Sequence, residues 1–344
     1  MKRFAVTIAV VAAHVLLAAW LFMPVLRQEQ PNSTTTEDNT GQKKNALAED
    51  SKAPQPASEK HAPGDNTANP APLDKLTFED TPATALPARL QGQTEAATAG
   101  IVVDWTNKRI LWQKKGRAPI PIASMTKMMT VLLLVEAVEN HPDLDFKSRV
   151  KVTKSAADIG GRQVYLDPRE TFTIDEILKC IMIFSANDAA YLAAEYLANG
   201  DADMFVQRMN RRAEELTLDK AEFSTPHGLP ADPPDQAAPL ELAYLAARLL
   251  MYPRVVHWSS TRLSWIRKNH PTFSAFRLDT TNDLLNRVNG VNGMKTGFTQ
   301  EAGHCMAATC QREGRTMIAV VCGCPTSDAR NNLLANLLEW SYEQ

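Results

Sequence analysis

Apolar positions are spread very unevenly along this chain. From Phe4 to Met23 they run almost without a break, behind Lys2 and Arg3 and up to Pro24. A helix of about 20 residues rises roughly 30 Å, the thickness of a bilayer's hydrocarbon core, so residues 1–27 are expected to be a membrane anchor or a signal sequence. A cleaved signal usually has an apolar run of about 7 to 15 residues followed closely by a small-x-small site. Here the run ends in Trp20-Leu21-Phe22-Met23 and the next such triplet, Ala46 to Ala48, lies far beyond, which favours a retained anchor over a cleaved signal. Either way Lys2 and Arg3 stay in the cytoplasm and the remainder is exported. Residues 28–93 lose the pattern altogether. They are rich in Pro, Ala and Thr with almost no aromatics, cannot bury enough surface to offset ordering, and are expected to form a disordered linker.

Regular patterns begin near Ala96, and residues 94–344 read as one globular domain. Ala97 to Trp105 and Ile110 to Gln113, on either side of Thr106-Asn107-Lys108, predict a β-hairpin. From Ser124 through Val135 a helix would be apolar on nearly every face, which predicts a buried central helix. Thr173 and Glu176 have capping-box spacing ahead of a helix to about Phe184, and another spans Asp188 to Ala198 before Gly200. Further helices are predicted over Ala202 to Leu216 and Leu240 to Met251. Strands return at Gly303 to Cys310 and Thr316 to Cys322, around the turn Arg312-Glu313-Gly314, before a last helix from about Asp328. This order predicts an α+β domain, an antiparallel sheet flanked by helices with a helical insertion.

Composition narrows the function classes. The 344 residues are 44% hydrophobic, enough for a substantial core, and 37 Lys+Arg against 39 Asp+Glu leave a net charge of −2. Without a basic excess, no nucleic-acid partner is expected. The five cysteines do not make the disulfide framework of a small secreted domain. Cys305 and Cys310 are five apart on one predicted strand and so face opposite ways unless a bulge intervenes, which argues against a metal site shared with Cys322 and Cys324. Buried free thiols are the expectation, with one disulfide as the alternative. His227 and His304 lack metal-ligand spacing and are expected to be structural.

Three short strings carry candidate chemistry. In Ser124-Met125-Thr126-Lys127 the hydroxyl and amine sit at i and i+3, one helical turn apart on the same face, at a helix N-terminus whose N–H groups suit a developing oxyanion. Lys127 can serve Ser124 as general base only if burial or a neighbouring cation lowers its pKa. The bland alternative is a capped helix with a surface lysine, but an unneeded charge inside an apolar helix would be expensive. Ser185-Ala186-Asn187 lies between two helices, where such residues are ordinary caps. As chemistry it offers a proton-relaying hydroxyl and an amide that holds a substrate carbonyl or the lysine. Lys295-Thr296-Gly297 follows the turn-rich Asn289 to Gly293. It is either a polar strand start or an edge strand that flanks a bound peptide, with Gly297 allowing close approach.

Together and in this order the strings resemble the serine penicillin-recognising enzymes. The wider segments I-A-S-M-T-K-M-M-T at Ile122 to Thr130, V-Y-L-D-P from Val164, S-A-N-D-A-A from Ser185, P-H-G-L from Pro226 and G-M-K-T-G-F-T from Gly293 resemble the D-alanyl-D-alanine carboxypeptidase family, the low-molecular-mass penicillin-binding proteins. The resemblance implies a penicillin-binding/β-lactamase-like fold and an extracytoplasmic serine DD-carboxypeptidase that removes the terminal D-Ala from peptidoglycan stem peptides, needs no cofactor and takes β-lactams as covalent inhibitors. The alternatives are a DD-endopeptidase that cuts cross-links and a catalytically silent envelope scaffold. Carried over, Ser124 is the nucleophile, Lys127 its base, and Ser185 and Asn187 the second catalytic element. Lys295, Thr296, Gly297 and Arg330 bind the substrate's terminal carboxylate region, and the N–H groups of Ser124 and Phe298 form the oxyanion hole. Ile122 stands where many members have proline. Many members also carry a C-terminal β-rich domain and amphipathic helix, so attachment is expected through the N-terminal segment instead. No Glu-x-x-Leu-Asn string follows Asn187 before Lys295, so rapid antibiotic hydrolysis is not expected.

Overall fold

The computed structural model describes Phe78 and residues 85–344. The strands are β1 (Ala99–Asp104), β2 (Arg109–Lys114), β3 (Ile120–Pro121), β4 (Arg149–Lys151), β5 (Thr171–Thr173), β6 (Gln236–Ala237), β7 (Leu263–Ile266), β8 (Phe276–Asp279), β9 (Val291–Thr299), β10 (Gly303–Arg312) and β11 (Arg315–Cys324). Five of them make the main sheet in the order β2-β1-β11-β10-β9, every neighbour antiparallel. The others pair off as β3 with β6, β4 with β5 and β7 with β8. The helices of the insertion lie in sequence between β2 and β9, in agreement with the α+β expectation.

Strand periodicity divides the core. Successive side chains point to opposite faces, so Ile318, Val320 and Cys322 of β11 enter one cluster while Met317, Ala319 and Val321 enter another. The first cluster holds Ile101 and Val103 with the insertion helices, and the second holds Trp112 and the leucines of the last helix, Ser327–Tyr342. Because both faces are covered, β1 is buried at every position. Gly100 is needed there, since a Cβ would meet the Trp112 ring and the Val320 carbonyl at 2.8 Å. Cys305 and Cys310 fall into opposite clusters, as their odd spacing predicts, and all five thiols are free and buried.

The central helix forms as Lys127–Asn140, preceded by a 3-10 turn over Ala123–Thr126. Met128, Met129, Val131, Leu132 and Val135 have no exposed surface. The Thr173–Glu176 capping box forms at the start of Ile174–Lys179, and the chain then widens into a π turn over Cys180–Phe184.

The N-terminal boundary differs from expectation. A helix spans Ala88–Thr94, all but its last residue within the segment predicted as linker, and its Leu90 is fully buried in the second cluster with Leu333, Leu334 and Leu337. Gln93, the predicted end of the linker, accepts a hydrogen bond from Asn336 Nδ2 at 2.8 Å. Folded chain therefore begins before residue 94. Phe78 is also buried, packing on Trp105 and Tyr244 at ring separations of 5.7 and 5.5 Å. Single apolar residues in a Pro- and Ala-rich stretch leave no periodicity to read, although each buries its surface on a partner distant in sequence. The expected anchor, 1–27, and most of the expected linker lie outside the described residues. Among the described residues, no helix is long and apolar enough to cross a membrane.

Candidate active site

Ser124 sits in the 3-10 turn, half-buried, and Lys127 is the first residue of the buried helix. Lys127 Nζ is 3.0 Å from Ser124 Oγ and donates to Asn187 Oδ1 at 2.7 Å and to the main-chain carbonyl of His227. Lys127 has no exposed surface. Burial pulls its pKa down to about 7; the carboxylates of Asp235 and Asp188 oppose that and the Arg162 charge adds to it. The neutral amine has two N–H bonds and one lone pair. With two carbonyl oxygens taking the N–H bonds, the lone pair is left to face the Ser124 hydroxyl.

Asn187 is not the ordinary cap that its position before a helix suggests. The N-cap of its helix, Asn187–Leu197, is Ala186, with no side-chain cap bond. Besides accepting from Lys127, Asn187 donates from Nδ2 to the Gly160 carbonyl at 2.9 Å, and its N–H donates to the Arg162 carbonyl at 2.8 Å. Ser185 terminates the π turn in the left-handed region, φ 66, a conformation that disfavours any side chain by about 1–2 kcal/mol. In that pose Ser185 Oγ accepts from Lys295 Nζ at 2.8 Å. Each serine thus has its own lysine.

Lys295, Thr296 and Gly297 lie on β9, the sheet's edge strand. Lys295 is fully buried and also donates to the Thr296 carbonyl, while Thr296 Oγ1 bonds Thr281 Oγ1 at 2.7 Å. Burial, with the charges of Lys127, Arg162 and Arg330 added, holds the Lys295 pKa far below that of an ordinary lysine. A Cβ on Gly297 would come within 2.7 Å of the Ile122 carbonyl and 3.2 Å of Ser124 N. Only glycine lets this strand lie against the Ser124 turn. Phe298, next in line, is 53% exposed and stacks on His304 at 4.3 Å.

Arg330, in the first turn of the last helix, is buried rather than solvated. It donates from Nε and Nη2 to Asn331 Oδ1, at 3.0 and 2.8 Å, and more weakly from Nη1 to the Cys305 carbonyl, and Asn331 in turn donates to Asp283. Its guanidinium is held by those groups, and its charge is felt at Lys295.

The sequence strings leave several supports undetected. The His227 carbonyl acts through the main chain, while its ring, pushed by burial to about 3, stays neutral and stacks on Tyr191 at 6.0 Å. Gly228 packs so closely that a Cβ would stand 2.1 Å from the Ala123 carbonyl. Asp188 accepts from the N–H groups of Val164 and Leu166, which shapes the loop leading to Asn187. The P-H-G-L and V-Y-L-D-P strings mark both regions, but main-chain roles have no residue signature.

Residues 85–326 match the family model described as D-alanyl-D-alanine carboxypeptidase. The chain belongs to that family. It is 34% identical over 248 residues to the D-alanyl-D-alanine carboxypeptidase DacF of Bacillus subtilis, covering 72% of this chain and 62% of the relative. It is 27% identical over 214 residues to a D-alanyl-D-alanine endopeptidase of Pseudomonas aeruginosa, covering 62% of this chain and 67% of that one. Among solved structures, the cefotaxime-bound penicillin-binding protein D2 of Listeria monocytogenes superposes with a TM-score of 0.63 at 29% identity, over 71% of this chain and 96% of that one. The architecture is accordingly the penicillin-binding protein fold. The chain spans about six-tenths of the length of the carboxypeptidase relatives DacF of Bacillus subtilis and DacC and DacD of Escherichia coli.

Proposed function

We propose that this chain is a serine DD-carboxypeptidase that removes the terminal D-Ala from peptidoglycan stem peptides. The observation that carries the reading is Lys127, fully buried, 3.0 Å from Ser124 Oγ, with its N–H bonds taken by Asn187 and the His227 carbonyl. Neutral Lys127 takes the Ser124 proton as Oγ attacks the penultimate D-Ala carbonyl. The N–H groups of Ser124 and Phe298 receive the oxyanion. Ser185, hydrogen-bonded to Lys295, relays a proton to the departing amine, and the C–N bond breaks to release D-Ala. Water, activated by Lys127, then hydrolyses the ester on Ser124. Lys295, Thr296, Gly297 and Arg330 receive the terminal carboxylate. β-Lactams acylate the same serine.

A DD-endopeptidase would use the same residues on a bulkier leaving group, and the Pseudomonas relative with that name supports it as the second reading. On either reading the catalytic domain works outside the cytoplasm, held to the membrane by residues 1–27. The deciding experiment incubates the protein and Ser124→Ala with uncross-linked and cross-linked muropeptides. Release of D-Ala from the uncross-linked peptides by the parent alone is expected. Cleavage confined to cross-links would favour the endopeptidase, and no Ser124-dependent cleavage of either would refute both.

A further inference from the structure

A cation without an ion-pair partner among the described residues stands beside the catalytic groups. Arg162 is exposed, and among the described residues its guanidinium has no carboxylate within ion-pair distance. Its neighbours differ: Arg267 is paired with buried Glu170 at 2.6 Å, and Arg330 is held by Asn331.

Despite its exposure, Arg162 is firmly placed. Its carbonyl accepts the Asn187 N–H, and the Gly160 carbonyl two residues earlier accepts Asn187 Nδ2. Between them Gly161, at φ +76, is pressed so close that a Cβ would lie 2.5 Å from Asn187 Nδ2. The guanidinium lies over the Phe184 ring, 5.1 Å from its centroid, and Phe276 braces that ring edge-on at 5.3 Å. Phe184 directly precedes Ser185. The charge of Arg162 reaches the reacting groups, because it helps lower the pKa of both Lys127 and Lys295.

A positive charge so near two lysines, whose guanidinium pairs with no carboxylate among the described residues, is suited to an anion brought by the substrate. The terminal carboxylate is already provided for by Lys295 and Arg330, which sit on β9 and the last helix, whereas Arg162 is tied to Asn187 on a separate element. Resting on the DD-peptidase reading, we propose that Arg162 is a specificity-determining residue that pairs with a second carboxylate on the acyl portion of the substrate, N-terminal to the bond Ser124 attacks. The preferred stem peptides carry a free acidic side chain ahead of D-Ala-D-Ala, and amidation of that group weakens them.

The test compares two acyl-D-Ala-D-Ala peptides that differ only in whether the side-chain carboxylate of the preceding residue is free or amidated. Each is assayed with the parent, Arg162→Gln and Arg162→Lys, and the readout is the ratio of kcat/KM for the two peptides. Any effect of Arg162 on Lys127 acts on both peptides alike and cancels in that ratio. The parent is expected to prefer the free carboxylate by about two- to fivefold, the upper range of an exposed ion pair with an oriented guanidinium. Arg162→Gln should bring the ratio to about one, and Arg162→Lys should restore part of it. An equal ratio in parent and Arg162→Gln would overturn the proposal and leave Arg162 as an electrostatic neighbour of the lysines. Failure of the parent to cleave either peptide would instead strike the DD-peptidase reading, and this proposal with it.

Discussion

Lys127 Nζ lies 3.0 Å from Ser124 Oγ, and this contact is no chance of surface proximity, because the lysine is buried on every side. Burial makes the amine a base at neutral pH, and the two carbonyl oxygens aim it.

The first prediction follows from its pKa of about 7. The base is the deprotonated amine, whose fraction rises with pH, so acylation of Ser124 by labelled penicillin should rise through pH 7 and level off above it. Well below the midpoint the rate should fall about tenfold per pH unit. Lys127→Ala should acylate about 100-fold more slowly or worse. Stopped-flow labelling, with mass spectrometry locating the adduct on Ser124, checks both. A flat pH profile, or an adduct elsewhere, would remove the pair from the mechanism.

Arg330 offers a second test. Its guanidinium is buried yet bonded to Asn331 and a carbonyl rather than directly to a carboxylate. Arg330→Ala should cost roughly 2 to 5 kcal/mol of substrate interaction, about 30-fold or more in kcat/KM, for a peptide ending in a free D-Ala carboxylate. Its C-terminal amide should lose much less. Equal losses would show that Arg330 does not read the carboxylate.

Two glycines separate close packing from backbone cost. Gly228 and Gly314 share φ +78, but a Cβ on Gly228 would strike the Ala123 carbonyl at 2.1 Å while one on Gly314 would meet nothing within 4 Å. Gly314→Ala should lose about 1 to 2 kcal/mol from the left-handed backbone and keep its acylation rate. Gly228→Ala should lose more and acylate more slowly, because the turn that carries Ser124 must shift. Urea melts and penicillin labelling of the two variants give the comparison.

Away from the cleft, Glu136 accepts from Arg212 Nε and Nη2 at 3.0 and 2.8 Å and from Arg248 Nη2 at 3.1 Å. Glu136→Gln keeps the shape and removes the charge. Arg212 retains Glu215 at 2.6 Å, but Arg248 is left buried without a counter-ion among the described residues. Breaking a buried pair from one side typically costs about 3 to 5 kcal/mol. A denaturation midpoint unchanged from the parent would show that water or another group satisfies Arg248.

For the N-terminal segment, the expectation is that the mature protein keeps residues 1–27 and fractionates with membranes in high salt. N-terminal sequencing of the cell-associated protein checks this, and a sequence starting beyond residue 27 would mean cleavage.

The chemistry that was legible in the sequence is local chemistry. Ser124 and Lys127 are one helical turn apart, so their meeting needs only the helix, and the apolar residues after them announce that the helix is buried. The order of the strands' inward and outward residues was legible too, because a period of two assigns Cys305 and Cys310 to opposite faces whatever lies beyond. The helix at Ala88–Thr94 was not, since Leu90 is buried only once the last helix arrives from more than two hundred residues away. Nor could the strings show what aims Lys127. The carbonyl of His227 and the carbonyls that hold Asn187 belong to the main chain, which every residue carries, and they become specific only when the fold closes. The placing of the Arg162 charge over Phe184 and the narrow fit of Gly228 have the same origin: a side chain's identity is written in the sequence, but its neighbours, and hence its solvation, its partners and its pKa, exist only in the folded structure.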